Sequence, residues 1–335
     1  MEEIRQSAFA RAGLAGNPSD GYHGKTLSVS VNNYCADVVL TEAPEVEIVP
    51  NPNDVHRFKS PRALAEYVST HGYYGGVRLL KAAIKRFIQF CDQNGKSLDN
   101  RCFSVRYETK IPRQVGLAGS SAIVTAMLRA LCQFYDVAIE NEAMPSLVLS
   151  VEYELGLTAG LQDRVIQVYG GLVFMDFTIG AMHFNSGLAC GRYEPMDPAL
   201  LPPMYVAWST TQSEPTEVFH ASLRSRFDSG EPAVIAAMKG FANLADEARS
   251  ALLDRDLERF NSVINRNYDL RKSITHISHG HERMIDTARE TGVSAKFCGS
   301  GGAIVGTYRD EEQLRLLTAS LAGIECEVVK LKTDS

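Results

Sequence analysis

A short run of glycine and serine, Gly116-Leu-Ala-Gly-Ser-Ser121, stands just before the strongly apolar stretch Ile123 to Tyr135. A loop of that composition opening a buried helix lends itself to anion binding. The first backbone N–H groups of a helix lack carbonyl partners, the positive end of the helix dipole lies with them, and glycines let a ligand approach closely. The serine hydroxyls add donors, and one of them can serve as an oxygen ligand for Mg²⁺. The same residues would also make a plain N-cap with glycines for packing, and the loop alone does not separate the two readings. No Gly-Lys-Ser/Thr follows, and the run does not spell Gly-x-Gly-x-x-Gly, so the usual nucleotide-binding folds are disfavoured.

Two other groups of reactive side chains carry less. Cys35, Cys91, Cys102, Cys132, Cys190, Cys298 and Cys326 are scattered, odd in number and free of any Cys-x-x-Cys pair. That pattern argues against a disulfide framework and against structural zinc, and it reads as reduced core filler. Cys298, beside a glycine run, could be accessible, but no histidine or other base accompanies it to make a nucleophile. His276, His279 and His281 have no cysteine or carboxylate at ligand spacing, so a solvated helix end describes them better than a metal site.

The elements that must hold the loop can be read from periodicity. Thr26-Leu-Ser-Val-Ser-Val-Asn32 alternates with a period of two, Asp37-Val-Val-Leu40 and Val46-Glu-Ile-Val49 continue in β-rich fashion, and Phe103 to Tyr107 alternates again. Val77, Leu80, Ile84, Phe87, Ile88 and Cys91 recur at three and four residues, which predicts an amphipathic helix. Pro145 suits the first turn of a helix through Glu154; Gly156 and Gly160 then break the pattern before Leu161 to Val168 resumes it, and Leu172 to Phe177 reads as a strand. After the Pro-rich crossover from Pro195 to Pro203, Met204 to Trp208 reads as a strand and 231–290 as helix-rich. Ala295 to Val305 places a glycine turn before an apolar strand, Glu311 to Leu321 a short helix, and Glu327 to Leu331 a last strand.

Composition bounds the rest. The chain has 335 residues, 45% hydrophobic and 22% charged, which is enough for a large core and about two domains at roughly 100–200 residues each. A net charge of −6 without any Lys/Arg run argues against a nucleic-acid partner. Met1 to Ser7 has no apolar leader, and no stretch of about 18 apolar residues could cross a bilayer, so a cytoplasmic, membrane-free protein is expected.

Pro112-Arg-Gln-Val-Gly-Leu-Ala-Gly-Ser-Ser-Ala122 resembles the central motif of the GHMP kinases, Pro-x-x-x-Gly-Leu-Gly-Ser-Ser-Ala, with Ala118 standing between Leu117 and Gly119. Two further motifs of that family occur in order, Ser7-Ala-Phe-Ala-Arg-Ala-Gly-Leu-Ala-Gly-Asn-Pro-Ser-Asp20 and Lys296-Phe-Cys-Gly-Ser-Gly-Gly-Ala303. Blocks such as Gly16 to Asp20, Gly72 to Leu80, Ile111 to Gln114, Gly160 to Val165, Met175 to Phe177, Leu201 to Pro203 and Asn265 to Asn267 are similar to the plant-type glucuronokinase branch. The resemblance implies a two-lobed α+β GHMP kinase fold. Its N-terminal lobe, 1–197, would be of the ribosomal protein S5 domain 2 type and carry the phosphate loop; its C-terminal lobe, 198–335, would be ferredoxin-like.

The implied reaction is D-glucuronate plus ATP giving D-glucuronate 1-phosphate and ADP, with Mg²⁺. Another sugar (a heptose, fucose, galactose or galacturonate) and a non-catalytic sensor of sugar and ATP remain as alternatives on the same motifs. Carried over by motif, Pro112, Gly116, Leu117, Ala118, Gly119, Ser120, Ser121 and Ala122 would bind ATP. Asp163 would take or orient the acceptor proton, and Arg11 would polarise the acceptor or offset charge in the transition state. Glu152, eleven positions before Asp163, would share Mg²⁺ with Ser121, and Glu154 is its rival on the same helix. Asn17, Asp20, Tyr74, Arg164, Gly299, Ser300 and Gly301 would face the sugar. A uronate carboxylate asks for one more cation, with Arg164, Arg113, Arg78 and Arg271 as candidates. Tyr73 and Tyr74 would stack on the sugar ring or fill core. Oligomeric state is not legible.

Overall fold

The structure, a computed structural model, describes residues 3–51, 54, 59–62, 75–157, 159–211 and 223–333. Strands β1 (Glu3–Ala15) and β2 (Lys25–Ala43) pair antiparallel along almost their whole length. Around β2 the first sheet runs β3 (Glu47–Ile48), β4 (Cys102–Thr109), β2, β5 (Leu172–Asp176) and β8 (Arg192–Met196). The separate segments expected at Thr26 and Asp37 are therefore one strand. The register jumps from Phe9 opposite Cys35 to Ala10 opposite Val31, and this bulge absorbs the polar residues between them. Asn33 at the bulge donates to the Lys330 carbonyl at 2.9 Å and accepts from the Lys332 amide at 2.9 Å, which ties the C-terminal end onto the first sheet.

Helices cover one face of that sheet. In α1 (Gly76–Gln93) Leu80, Phe87 and Cys91 of the predicted stripe are buried, together with Leu79, Ala83 and Phe90, whereas Ile88 is 43% exposed: the inward face is rotated from the one the spacing predicts. Helix α2 (Gly119–Phe134) is buried almost all round, because it lies between the sheet, α1 and the pair α3 (Met144–Glu154) and α4 (Gln162–Tyr169). Each fully buried Leu or Phe there contributes on the order of 1.5–3 kcal/mol. A small hairpin, β6 (His183–Asn185) and β7 (Leu188–Cys190), precedes β8; the sequence pattern does not announce these short, half-exposed strands.

Between Met196 and Met204 the chain passes to a second sheet, ordered β10 (Lys296–Phe297), β11 (Ala303–Thr307), β9 (Met204–Ser209), β12 (Cys326–Lys330). Strand β9 shows why both its faces must be covered. Met204, Val206 and Trp208 pack into the core shared with the first sheet, while Tyr205 and Ala207 face a second cluster. Helices α7 (His279–Glu290) and α8 (Glu311–Ala322) fill that second cluster with Met284, Ile285, Leu317 and Leu321. Helices α5 (Pro232–Leu253) and α6 (Leu257–Ile274) instead join the first core through Ala245, Ala248, Phe260 and Ile264. Among the described residues no helix is long and apolar enough to cross a membrane.

Candidate active site

One cavity runs along the ends of β1 and β4 and the start of α2, and it gathers residues from all three motifs. Its centre is Arg11, 5% exposed at the end of β1. The guanidinium grips Asp163 of α4 with both arms, Nε to Oδ1 at 2.5 Å and Nη2 to Oδ2 at 2.8 Å. Nη1 donates to the Gly116 carbonyl at 2.6 Å and to the Cys298 carbonyl at 3.3 Å. A single planar fork thus fixes a carboxylate, the glycine-serine loop and the C-terminal glycine turn relative to one another.

The loop is held tightly. Ala118, whose φ of +62° is left-handed, offers its carbonyl to Gln167 Nε2 at 2.8 Å and to Ser121 Oγ at 3.2 Å. Backbone meets backbone where the two glycine turns touch: a Cβ on Gly299 would lie 2.6 Å from the Gly116 carbonyl and 2.7 Å from Arg11 Nη2. Gly116, Leu117, Ala118, Gly119, Ser120 and Ser121 line the cavity with Pro112, and Ala122 sits behind them, fully buried. The N-terminus of α2, sixteen residues long, opens on this wall and gives it the donors and partial positive charge an oligophosphate needs.

Asp20 stands on the short turn Ser19–Tyr22 and its Oδ2 accepts from the Gln162 amide at 3.2 Å. Gly160 leaves the room for it, since a Cβ there would fall 1.9 Å from that oxygen. Burial, and after it the neighbouring charge of Asp163, pushes the Asp20 carboxyl up to about 6. Asn17 is fixed from the second half of the chain: Lys296 Nζ donates to its Oδ1 at 2.7 Å, to the Gly13 carbonyl at 2.5 Å and to the Phe297 carbonyl at 2.8 Å. Lys296 is 1% exposed, and burial brings its ammonium down to about 7. Asn267 Oδ1 accepts a further bond from the Gly16 amide at 2.8 Å.

Glu152 and Arg164 form a buried ion pair, Arg164 Nε donating to Glu152 Oε2 at 2.6 Å and Nη1 to the Gly160 carbonyl at 2.9 Å. The Arg164 guanidinium is thus engaged with Glu152, although it lines the cavity. Glu152 and Ser121 also line it and offer oxygen donors only, which suits Mg²⁺. Among the described residues no group of three or more His, Cys, Asp or Glu could hold a metal by itself. Glu154 is on the outer face, paired with Lys85.

Other candidates are spread more widely. Arg271 donates to the carbonyls of Gly299 (2.6 Å) and Ser300 and lies over the Phe297 ring. Gly299 and Ser300 line the cavity, whereas Gly301 packs toward His281. Arg113 is exposed at the entry to the glycine-serine loop, and Arg78 points outward to the Leu155 carbonyl without lining the cavity. Tyr73 and Tyr74 lie outside the described residues. The far end of the cavity is walled by Leu79, from the Gly72 to Leu80 block, and by Tyr107, Thr109 and Asn51, which no motif indicated. Asn51 Nδ2 donates to the Tyr107 carbonyl at 2.7 Å, and Asp54 accepts from Tyr107 Oη at 2.8 Å and the Gly76 amide at 3.0 Å. Arg224, over Tyr22 at the opposite end, was also not indicated by any motif.

Residues 78–171 match the model of the GHMP kinases N terminal domain. Glucuronokinase 1 of Arabidopsis thaliana is 43% identical over 312 residues, which cover 90% of this chain and 84% of that protein. This chain belongs to the GHMP kinase family. Its fold is that of the family throughout. The structure of Lactococcus lactis galactokinase complexed with galactose superposes with a TM-score of 0.76 at 15% identity over 100% of this chain and 94% of that one. Streptococcus pneumoniae phosphomevalonate kinase in complex with phosphomevalonate and AMPPNP superposes with a TM-score of 0.75 at 13% identity over 100% of both chains.

Within this GHMP kinase one expectation is corrected. His281 is not at a solvated helix end: it is 3% exposed, edge-on to the Phe297 ring, because α7 turns that face inward to pack on β10. Cys298 is wholly buried beneath Arg11 and its thiol is pushed up to about 12 by burial.

Proposed function

We propose that this GHMP kinase transfers the γ-phosphoryl group of ATP to the anomeric hydroxyl of D-glucuronate, giving D-glucuronate 1-phosphate and ADP. The observation that carries the reading is the Arg11–Asp163 fork set between the phosphate loop and Asp20 in one cavity. The 43% identity to an Arabidopsis glucuronokinase supports the acceptor, and proteins of the same fold are known in complex with galactose and with phosphomevalonate and AMPPNP.

On this reading the triphosphate lies along Gly116 to Ser121 with its base toward Tyr107, and the sugar lies by Asn17, Asp20 and Gly160. Asp163 accepts or orients the proton of the anomeric hydroxyl, whose oxygen attacks the γ-phosphorus as the bond to the β,γ-bridging oxygen breaks and ADP departs. Arg11 holds the carboxylate in place and sets positive charge beside the phosphoryl group in flight. Glu152 and Ser121 would hold Mg²⁺, which would offset the negative charge of the phosphates. Residues 1–197 and 198–335 would form the two lobes. Seven free cysteines suit a reducing cytoplasm.

The test is ADP release with Mg·ATP across D-glucuronate, D-galacturonate, D-glucose, D-galactose, L-fucose and a heptose. The reading predicts the highest kcat/KM for glucuronate. A higher value for a neutral sugar would overturn the acceptor and keep the kinase, and ATP binding without turnover on any sugar would overturn the catalytic reading.

A further inference from the structure

An anionic sugar entering this cavity meets an unfavourable field. Asp20, Asp163 and Glu152 all line it, and two of its arginines already neutralise two of these, Arg11 with Asp163 and Arg164 with Glu152. A sugar carboxylate would add a further negative charge, so recognition needs a cation at the sugar end not already matched to a buried carboxylate.

Three more arginines line the cavity. Arg113 stands at the lead-in to the phosphate loop. Arg271 holds the carbonyls of Gly299 and Ser300 in the turn that packs on Gly116, so it also lies toward the phosphates. Arg224 lies at the other end. Its Nη1 donates to the Gly21 carbonyl at 3.1 Å, one residue from Asp20, and its guanidinium lies 5.1 Å over the Tyr22 ring. The nearest carboxylate to it among the described residues is Asp228, with Oδ2 4.0 Å from Nε and the Asp228 side chain 63% exposed. A water-screened contact of that length is weak and readily exchanged for a better one. The arginine itself is anchored by a backbone carbonyl and a ring, which fixes the plane of its fork for a two-point contact.

We propose that Arg224 receives the carboxylate of the sugar acid and thereby sets the preference of this kinase for uronates over neutral sugars. The proposal rests on the sugar-acid reading above and assigns its specificity to one side chain that no motif marks.

The experiment measures kcat/KM for D-glucuronate and for D-glucose, and KM for ATP, in the wild type, Arg224→Gln and Arg224→Lys. A charged hydrogen-bonded contact is worth enough that Arg224→Gln lowers kcat/KM for glucuronate roughly 10- to 100-fold, mainly through KM. The values for glucose and for ATP stay within about twofold, and Arg224→Lys recovers part of the loss. If the wild type prefers glucuronate and Arg224→Gln keeps the same glucuronate-to-glucose ratio, the assignment of Arg224 is overturned while the substrate reading stands. Equal losses on both sugars would also overturn it, showing a general structural role. A wild type without preference for the acid overturns both.

Discussion

Replacing Glu152 tests how this site is held together, because its carboxylate and the Arg164 guanidinium are 3% and 5% exposed and face each other directly. Glu152→Gln leaves a guanidinium buried without its counter-charge, and breaking such a pair from one side costs about 3–5 kcal/mol. Asp163 Oδ2, 3.5 Å from Arg164 Nη1, and the Gly160 carbonyl compensate in part, which sets the expectation at the lower end, about 3 kcal/mol. Against a total of roughly 5–15 kcal/mol that is a large fraction. Arg164→Met alone strands the carboxylate and should destabilise similarly. The double variant Glu152→Gln/Arg164→Met removes both charges at nearly constant volume and should recover most of the loss; with about 1 kcal/mol left, the coupling between the two sites is about 5 kcal/mol. Urea unfolding followed by the fluorescence of Trp208, the single tryptophan, buried on β9, reads each corner of the cycle. A Glu152→Gln loss under about 1 kcal/mol, or a double variant no better than the worse single one, would refute the reasoning. The activity arm separates structure from chemistry: if Glu152 also serves Mg²⁺, the double variant refolds to near wild-type stability yet needs more Mg²⁺ and turns over more slowly.

Asp163→Asn should lower kcat by roughly 10²–10⁴ with ATP affinity retained, measured by ADP release and by nucleotide titration. Because Asp20 titrates near 6 rather than at its usual 3.8, and a carboxylate is needed to accept from sugar hydroxyls, kcat/KM for the sugar should climb through pH 6 and level off above it. The sign for stability is the reverse. A folded-state pKa raised above the unfolded value means stability falls as pH rises from about 4 to 6, so Asp20→Asn should be more stable than wild type at pH 7 and bind sugar less well, as thermal melts and KM would show. Gly299→Ala, which drives a Cβ against the Gly116 carbonyl and Arg11, should raise KM for ATP and cut kcat while circular dichroism stays unchanged.

What the sequence made legible is what local pattern encodes. The apolar positions Leu80, Phe87 and Cys91, the glycine-serine run at which α2 begins and the Pro145 helix start each follow from near neighbours, while Ile88 of the same spacing is exposed and α2 starts within the run, at Gly119. The merged β2 strand was hidden because a bulge interrupts its alternation, and the partner that keeps it extended, β1, is a separate stretch of chain. The site shows the same limit. Motifs named Arg11 and Asp163, but their bond spans 152 positions and no spacing rule reports it. Lys296, Asn267 and Gln167 act by holding Asn17, Gly16 and Ala118, across a fold that must exist before they meet. Arg224 carries no motif, and its place over Tyr22 and on the Gly21 carbonyl joins positions 203 apart.

The proposed reaction delivers a phosphoryl group to the anomeric oxygen of glucuronate. Phosphorus NMR of the wild-type reaction with Mg·ATP and D-glucuronate reads that bond directly. The proposed transfer gives ADP and, in equal amount, one sugar phosphate whose phosphorus couples to the anomeric proton. ADP with only inorganic phosphate, or a phosphate coupled to any other ring proton, would contradict it.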